Sequence, residues 1–515
     1  MRHNDWGSLT PATLGDWTPT LSVTVVVPTF NYQRTLPYVL AGLAAQSYPS
    51  HLLEVIVVDD QSSPAQELPE VRPDNTKLIR VEEGWGRANA CHLGALAAEG
   101  DVFHWYDADM LAYREEVEAH ARWHHLIDYA VPGGDKRFVD PASLFDLEPS
   151  VLRDRVAGGG AADLFPGQEH ELHQWVEDYW EKTDDLRTAG PRAQRFHIGM
   201  TGSVTRALYF DSRGFDRTLR LGEDMALGHE LAQAGGVFVV DREARSWHLG
   251  RSQVLRRAEQ VNRYNDPYLA DLVPSMRPKR NRSGRTYQVP YLEVVVPAGS
   301  ADETIRVVDS LLDGDVPDLR VVVVGPWSTV HEDRVQPVDD PVLETRLVHR
   351  SFVHEPRVRL VESAPVSTDA EFVLSLPDVT LAPLAAALSS LLDDLERTHH
   401  GARVLTYPSG GVARLERTSA LARTTRLGGP SDTLMEETFG TKAYTATSVG
   451  FVPVDEREVA RFVLGVRPPM DPEKSERRLT KALRRAEAAS GPDLGVVRDG
   501  EGGSGERRGI FGRRR

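Results

Sequence analysis

A single cysteine, Cys91, stands in the 515 residues. One thiol cannot form an intramolecular disulfide, so no disulfide framework holds this fold, and a reducing compartment suits it. Cys91 lies in the apolar run ACHLGALAA and reads as a buried core thiol rather than a nucleophile. Long apolar runs are also missing: nothing approaches the roughly 18 residues that a membrane-spanning helix needs. The N-terminus, MRHNDWGSLTPATLGDW, has no apolar h-region and does not read as a secretory signal. A soluble, cytoplasmic protein is therefore expected. Positive charge is in deficit, with a formal net charge of -16, which counts against a general nucleic-acid binder. The last residues, ERRGIFGRRR, are the exception. They read as a basic solubilising tail; the functional alternative is a peripheral contact with anionic lipid at the inner face of a membrane.

What is present is globular: 40% hydrophobic and 26% charged residues over a length that suits two domains plus tails. Short β-branched runs alternate with helical patterns. Val23 to Val27 precedes Pro28, and Thr35 to Gln46 carries apolar residues at helical spacing. Leu53 to Val58 runs into Asp59-Asp60. Strand, helix, strand at this length is a βαβ unit. A further strand, Thr76 to Val81, a helix, Arg87 to Ala98, and a strand, Val102 to Tyr106, follow, the last ending in Asp107-Ala108-Asp109. The fold class is α/β with a mostly parallel central sheet, and both acidic clusters fall at carboxyl ends of strands, where open parallel sheets bind ligands.

The pattern restarts after the polar stretch RPKRNRSGR. Leu292 to Val296 then Pro297 mirrors the first strand. Arg320 to Val324 then Gly325-Pro326 mirrors the second, and Phe372 to Leu376 then Pro377-Asp378 mirrors the strand before Asp107. An internal duplication is inferred, with the acidic chemistry lost in the copy. The expected organisation is a tail over 1–20, a catalytic domain over 21–275 and a basic linker over 276–290. A degenerate second α/β domain over 291–468 and a basic tail over 469–515, partly helical to disordered, complete it.

Asp107 and Asp109 flank one small residue at a strand end, where both can face one hard cation. Two acids in a loop are common, but this pair follows an apolar strand and stands about 50 residues after another acid-tipped strand. The ordered set VVVPTFN, VIVVDDQS, GWGRANACHLG, YDADM, GFDRTLRLGEDMALGHELAQAGG and WHLG resembles the family 2 glycosyltransferases over roughly residues 22 to 255. The resemblance implies a GT-A fold and, for the second half, a degenerate GT-A-like copy. It implies a nucleotide-sugar donor, UDP-linked in expectation, a glycan or other hydroxyl acceptor, inversion at the anomeric carbon, and a divalent cation, Mn2+ or Mg2+. By resemblance Pro28, Thr29, Asn31, Asp59, Asp60 and Asp107 lie against the nucleotide sugar. Arg87 and Asn89 match an Ala-Arg-Asn segment with Arg and Ala exchanged. The alternative for that segment, a helix start packed under the sheet, explains Gly84, Gly86 and Gly94 equally well.

Gly222-Glu223-Asp224 opens an amphipathic helix. The resemblance assigns the acceptor's general base to this acid pair, with Asp224 preferred over Glu223; the plain alternative is that both acids stabilise a helix N-terminus. His248, after the strand Val237 to Val240, is a candidate third metal ligand beside Asp107 and Asp109, or else a packed core histidine. His124 and His125 read as surface or acceptor-site residues. Gln253-Val254-Leu255-Arg256-Arg257 echoes a Gln-x-x-Arg-Trp motif of processive synthases without its Trp, so a single or short addition is expected, with Arg251 or Arg256 near the diphosphate. Two other classes compete. A nucleotidyltransferase needs a glycine-rich basic loop after the first strand, and PTFNYQRTL has no glycine. A non-catalytic glycan- or nucleotide-sugar-binding scaffold fits the second half but not the intact acids of the first.

Overall fold

The run VTVVVPT is buried along its whole length as strand β1 (Val23–Thr29), because β-branched side chains fit a pleated strand packed on both faces. The computed structural model describes residues 1–454 apart from 198, 278–284, 332–334 and 430. After β1 come α1 (Leu36–Leu43), β2 (Leu53–Asp59), β3 (Thr76–Arg80), α2 (Arg87–Ala97), β4 (Val102–Tyr106), β5 (Met110–Ala112) and α3 (Glu116–His124). They are followed by β6 (Ala130–Val139), α4 (Pro149–Ala157), β7 (Glu171–Leu172), α5 (Gln174–Lys182), β8 (Thr201–Thr205), α6 (Arg206–Asp211), α7 (Glu223–Gln233), β9 (Val237–Leu249) and α8 (Gln253–Leu272).

These strands form one sheet in the order β3-β2-β1-β4-β8-β6-β9-β5, with β7 beside β6. β1 is parallel to β2 and β4, and β2 to β3. β8 is antiparallel to β4 and β6, and β6 is parallel to β9. The carboxyl ends of β1, β2 and β4 therefore share one edge, which is the edge that carries the acids. Helix α2 lies close over β1: a Cβ at Gly94 would meet Val26 Cγ1 at 2.3 Å, so only glycine permits this approach.

The second half holds β10 (Leu292–Pro297), α9 (Ala301–Leu312), β11 (Leu319–Val324), α10 (Leu343–Phe352), β12 (Val358–Val361), β13 (Phe372–Ser375) and β14 (Leu381–Pro383). It continues with α11 (Ala387–Thr398), β15 (Ala402–Thr406), β16 (Val412–Arg417), α12 (Thr418–Arg426), α13 (Asp432–Thr438), β17 (Thr441–Thr445) and β18 (Phe451–Pro453). Its sheet runs β12-β11-β10-β13-β16-β15-β17. The pairings repeat those of the first sheet in sense and order: β10 is parallel to β11 and β13, β16 is antiparallel to β13 and β15, and β15 is parallel to β17. The short antiparallel pair β5–β9 even has a counterpart in β14–β18.

Both sheets belong to one compact unit. Helix α12 packs on α7, and buried Arg423 donates from Nε to the Gly235 carbonyl and from Nη2 to the Gly236 carbonyl, 2.7 Å away. These are carbonyls just past the C-terminus of α7, where a cation is favoured. Burial lowers the Arg423 guanidinium to about 10. Arg423→Met keeps the length of the stem but strands both carbonyls. It is expected to destabilise the protein by about 2–4 kcal/mol, read from the urea midpoint at unchanged m-value.

Residues 1–20 are not a loose tail. Asn4 exchanges hydrogen bonds with the Phe238 backbone (2.8 Å each way), and Trp17 donates to Glu118 at 2.9 Å. The Trp6 ring meets Trp123 edge-on at 5.4 Å, so this stretch is docked on the domain at a few points. The linker expected over 276–290 is only partly described, and the tail over 469–515 lies outside the described residues. Among the described residues no helix is long and apolar enough to cross a membrane.

Candidate active site

Three turns of chain meet at the acid-bearing edge. Beyond β1, Asn31 takes a left-handed backbone (φ 60°), a conformation that asparagine tolerates. Its amide donates to Ser62 at 2.8 Å, and its side-chain oxygen accepts from Ser63 at 2.9 Å, which ties the β1 and β2 loops together. Asp59 is 2% exposed and accepts from the Ser62 and Gln66 amides, so it holds this loop from beneath. Thr29 is equally buried and receives Gln66 Nε2 at 3.2 Å. Pro28 lies inside β1 and is buried. Asp60 is placed differently. Its Oδ2 accepts from the Gly86 amide at 2.7 Å, while its Oδ1 has no hydrogen-bond partner. A buried carboxylate oxygen without a donor has unused capacity to accept a hydrogen bond.

Arg87 opens α2 and is the ionic hub. Its Nε donates to Asp107 Oδ1 at 2.8 Å, its Nη1 to Glu223 Oε1 at 3.2 Å and its Nη2 to the Gly199 carbonyl at 2.7 Å. One guanidinium thus joins the acid after β4 to the acid that opens α7. Asn89 is 1% exposed and spends its amide on the Glu83 carbonyl (3.0 Å) and Arg217 (2.7 Å). Asn89 thus ties the start of α2 to the turn before it and to Arg217.

Asp109 is held by the Tyr32 hydroxyl at 3.0 Å, and its Oδ1 stands 3.8 Å from His248 Nε2. That separation is too long for a hydrogen bond and leaves both atoms directed at common space. Burial raises the Asp109 pKa, His248 opposes the rise and Asp107 adds to it. His248 does not follow the strand but lies inside it: a bulge at Gly134/Asp135 carries the β6–β9 ladder through Leu249, and β5 pairs Met110 with His248. Asp109 and His248 stand side by side here, while Asp107 Oδ1 is turned to Arg87; carboxylates and an imidazole are the ligand types a divalent cation takes.

At the start of α7, burial pushes Glu223 up to about 7, with Arg87 opposing and Asp224 adding to the shift. Asp224 is raised too, first by burial, although the Met225 and Gly199 amides face it. Gly199 is a close-approach glycine: its Cβ would fall 2.9 Å from Arg87 Nη1 and 3.0 Å from Asp224 Cβ. Glu223 is bound to Arg87, while Asp224 has no salt bridge among the described residues.

Lys136 stands near the acids of α7, and a tyrosine pair stands on α8. Lys136, 3% exposed on β6, lies over the Trp180 ring at 5.6 Å. Burial brings its ammonium down to about 8 against the pull of Asp135, Glu177, Asp224 and Glu116. A lysine at an inward strand position was the available clue. Tyr264 and Tyr268 stack at 4.9 Å on α8, partly exposed. Other expectations move elsewhere. Arg251 is engaged by Glu171, whose strand partner Phe138 pairs in turn with His248. His124 is 4% exposed and points into the core, not to the surface, while His125 on the next position accepts the Thr20 and Leu21 amides.

Residues 24–153, the segment carrying β1 to β4 and both acidic strand ends, match the sequence model of glycosyl transferase family 2. The chain carries a glycosyl transferase family 2 domain. Over 374 residues it is 24% identical to a chondroitin synthase of Pasteurella multocida (strain Pm70), covering 66% of this chain and 36% of that one. It is 32% identical over 125 residues to the amylovoran biosynthesis glycosyltransferase AmsB of Erwinia amylovora, covering 23% of this chain and 40% of the relative. It thus spans well under half the length of both relatives. Among solved structures, a mannosyltransferase of Pyrobaculum calidifontis in complex with GDP-Man and Mn2+ aligns at 20% identity and TM-score 0.34, over 52% of this chain and 68% of that one. The S. aureus TarS 1-349 complex with UDP-GlcNAc aligns at 18% identity and TM-score 0.33, over 49% and 68%. The matched segment contains Asp59, Asp60, Arg87, Asp107 and Asp109, while Glu223, Asp224 and His248 lie beyond it.

Proposed function

We propose that the protein is a metal-dependent glycosyltransferase of GT-A type that moves a sugar from a nucleotide-diphosphate sugar, a UDP-sugar by family resemblance, onto a hydroxyl of a glycan acceptor with inversion. The observation that carries this reading is the Arg87 hub, which ties Asp107 to Glu223 and so sets a cation-binding pair and a base-bearing helix around one cleft. Asp60 receives the nucleoside through its unpartnered Oδ1. Asp107, Asp109 and His248 hold the cation, whose charge offsets that of the departing diphosphate. Asp224 accepts the acceptor's proton as the new C–O bond forms and the bond to the diphosphate breaks. Glu223, locked to Arg87, positions the helix.

In the second sheet, Gly325-Pro326 follows β11 where Asp59-Asp60 closes β2, and Asp378 is engaged by Thr380 and Ser409. We read residues 291–468 as a degenerate copy that braces α7 and binds no donor. The alignment with the chondroitin synthase, covering 66% of the chain, is longer than the first sheet alone, which supports this reading.

The test is a panel of nucleotide sugars scored by melting temperature and by nucleotide release, with and without manganese. One donor per chain should bind, and only with the cation, because a ligand selective for the folded state raises its stability. Absence of any manganese-dependent donor, or two donors per chain, would overturn the respective part of the reading. Asp60→Ala should weaken donor binding about 10–100-fold through loss of a charged hydrogen bond, with manganese affinity unchanged in the same titration.

A further inference from the structure

We propose that His104, Glu116 and His120 form a second metal centre, a zinc site with three protein ligands and a fourth position left to an exogenous ligand, that fastens α3 to β4 and β8 behind the acid-bearing edge. Its residues are separate from Asp107, Asp109 and His248, and it does not depend on the assignment of the transfer reaction.

The three side chains converge by simple periodicity. His104 occupies a position of β4 that shares its face with Val102 and Tyr106, both buried toward α1 and α3. Glu116 and His120 are four apart on α3 and so lie on one helix face. All three are buried, with His104 and Glu116 at 0% and His120 at 1% side-chain exposure. His104 Nε2 is 3.7 Å and His120 Nε2 3.5 Å from Glu116 Oε1, and the three ligand atoms lie within 4.8 Å of one another. Those two separations are long for hydrogen bonds. They are close to the edge of a tetrahedron with bonds of about 2.0–2.1 Å, roughly 3.3–3.4 Å.

Hydrogen-bond accounting points to the same place. The His104 ring makes no hydrogen bond of good geometry, its one polar neighbour being the Gly202 backbone, and Glu116 Oε2 has no partner. Buried polar atoms are rarely left this way in a folded protein, and an absent ion is one recognised reason. The surroundings are arranged as an outer shell. His120 Nδ1 is bonded to Ser203 Oγ at 2.9 Å, which directs Nε2 at Glu116, and Ser203 Oγ also meets His124 Nε2 at 2.7 Å. Thr201 Oγ1 donates to Glu116 Oε1 at 2.8 Å and lies 3.3 Å from His120 Nε2. A ligating histidine whose other ring nitrogen is fixed, and a ligating carboxylate that is itself hydrogen-bonded, are the usual outer-shell pattern. Two imidazoles and one carboxylate in a buried site select zinc over the hard cations, which keep water and oxygen ligands.

The full-length chain would be produced in zinc- and in cobalt-supplemented medium, with Asp107→Asn/Asp109→Asn present to remove the strand-edge carboxylates. One equivalent of zinc per chain is expected by elemental analysis after gel filtration. The cobalt form should show the intense visible bands of four-coordinate Co2+, which a six-coordinate carboxylate site lacks. His120→Gln should remove the bound metal and those bands. Should that variant not fold, the unsubstituted histidines are still tested by the cobalt spectrum of the Asn/Asn protein. A chain that folds without zinc or four-coordinate cobalt, or an unchanged metal content in folded His120→Gln, would overturn the proposal.

Discussion

Asp109→Ala is expected to abolish manganese-stimulated turnover while leaving the fold intact. The cation is held on the sheet edge by Asp107, Asp109 and His248 in the proposed site. Asp109 is central in that set, between the Tyr32 hydroxyl and His248 Nε2. Charge stabilisation by a bound cation contributes several kcal/mol to a reaction with an anionic leaving group. At 1.36 kcal/mol per tenfold, loss of the cation should lower turnover on the order of 10³-fold or more. The stability readout separates this from misfolding. Burial raises the Asp109 pKa, so the folded protein without cation gains nothing from the charged form. The variant's melting temperature without manganese should therefore match or exceed that of the parent. Its melting temperature should no longer rise when manganese and donor are added. Turnover that still responds to manganese in Asp109→Ala would remove the metal role assigned to this residue.

The strands of this site were readable and its wiring was not. Val23 to Val27, Leu53 to Val58 and Val102 to Tyr106 are short β-branched or aromatic runs, and each matches an observed strand to within about two residues. The same holds for Leu292 to Val296, Arg320 to Val324 and Phe372 to Leu376, since a parallel strand buried on both faces leaves a continuous apolar run. Strand-end acids were legible for the same reason. The antiparallel half was harder. DREARS, polar in sequence, is the middle of β9, because the bulge at Gly134/Asp135 re-registers β6 against it, and no periodicity announces a bulge. His124 looked like a surface residue because its neighbours on α3 are Glu, Arg and His. The helix is nonetheless enclosed: His124 Nε2 meets Ser203, and Arg122 pairs with Asp241 and Glu243 across the fold. Arg87 was legible as a site residue but not as a hub, because Glu223 lies 136 positions away. Residues 1–20 lacked any helix or strand period, yet Asn4, Trp6 and Trp17 each find a partner that only the folded chain supplies.

Asp224→Asn should cut turnover by about 10²–10⁴-fold with little change in donor affinity. An acceptor hydroxyl is too weak an acid to ionise near neutral pH, so its proton must pass to a placed carboxylate as the bond forms, and such a base contributes about this factor. Asp224 suits the task better than its neighbour. Glu223 is bound to Arg87, whereas Asp224 makes no salt bridge among the described residues, and Arg87 and Lys136 act on it only at longer range. The amide replacement preserves shape and removes basicity, so the loss should fall on kcat at near-constant donor Kd. The pH profile gives an independent check. A base acts in its ionised form, and burial, with help from Asp107, raises the Asp224 pKa. Activity should therefore fall as pH is lowered through a point above the ordinary carboxylate range, and that acidic limb should vanish from the residual activity of Asp224→Asn. Glu223→Gln should behave otherwise: it frees Arg87 and weakens the link between Asp107 and α7, so cation dependence should shift along with rate. Donor binding lost in parallel with turnover in Asp224→Asn would move this residue from the base to the nucleotide or the cation. A product that keeps the donor's anomeric configuration would exclude the single displacement that needs such a base.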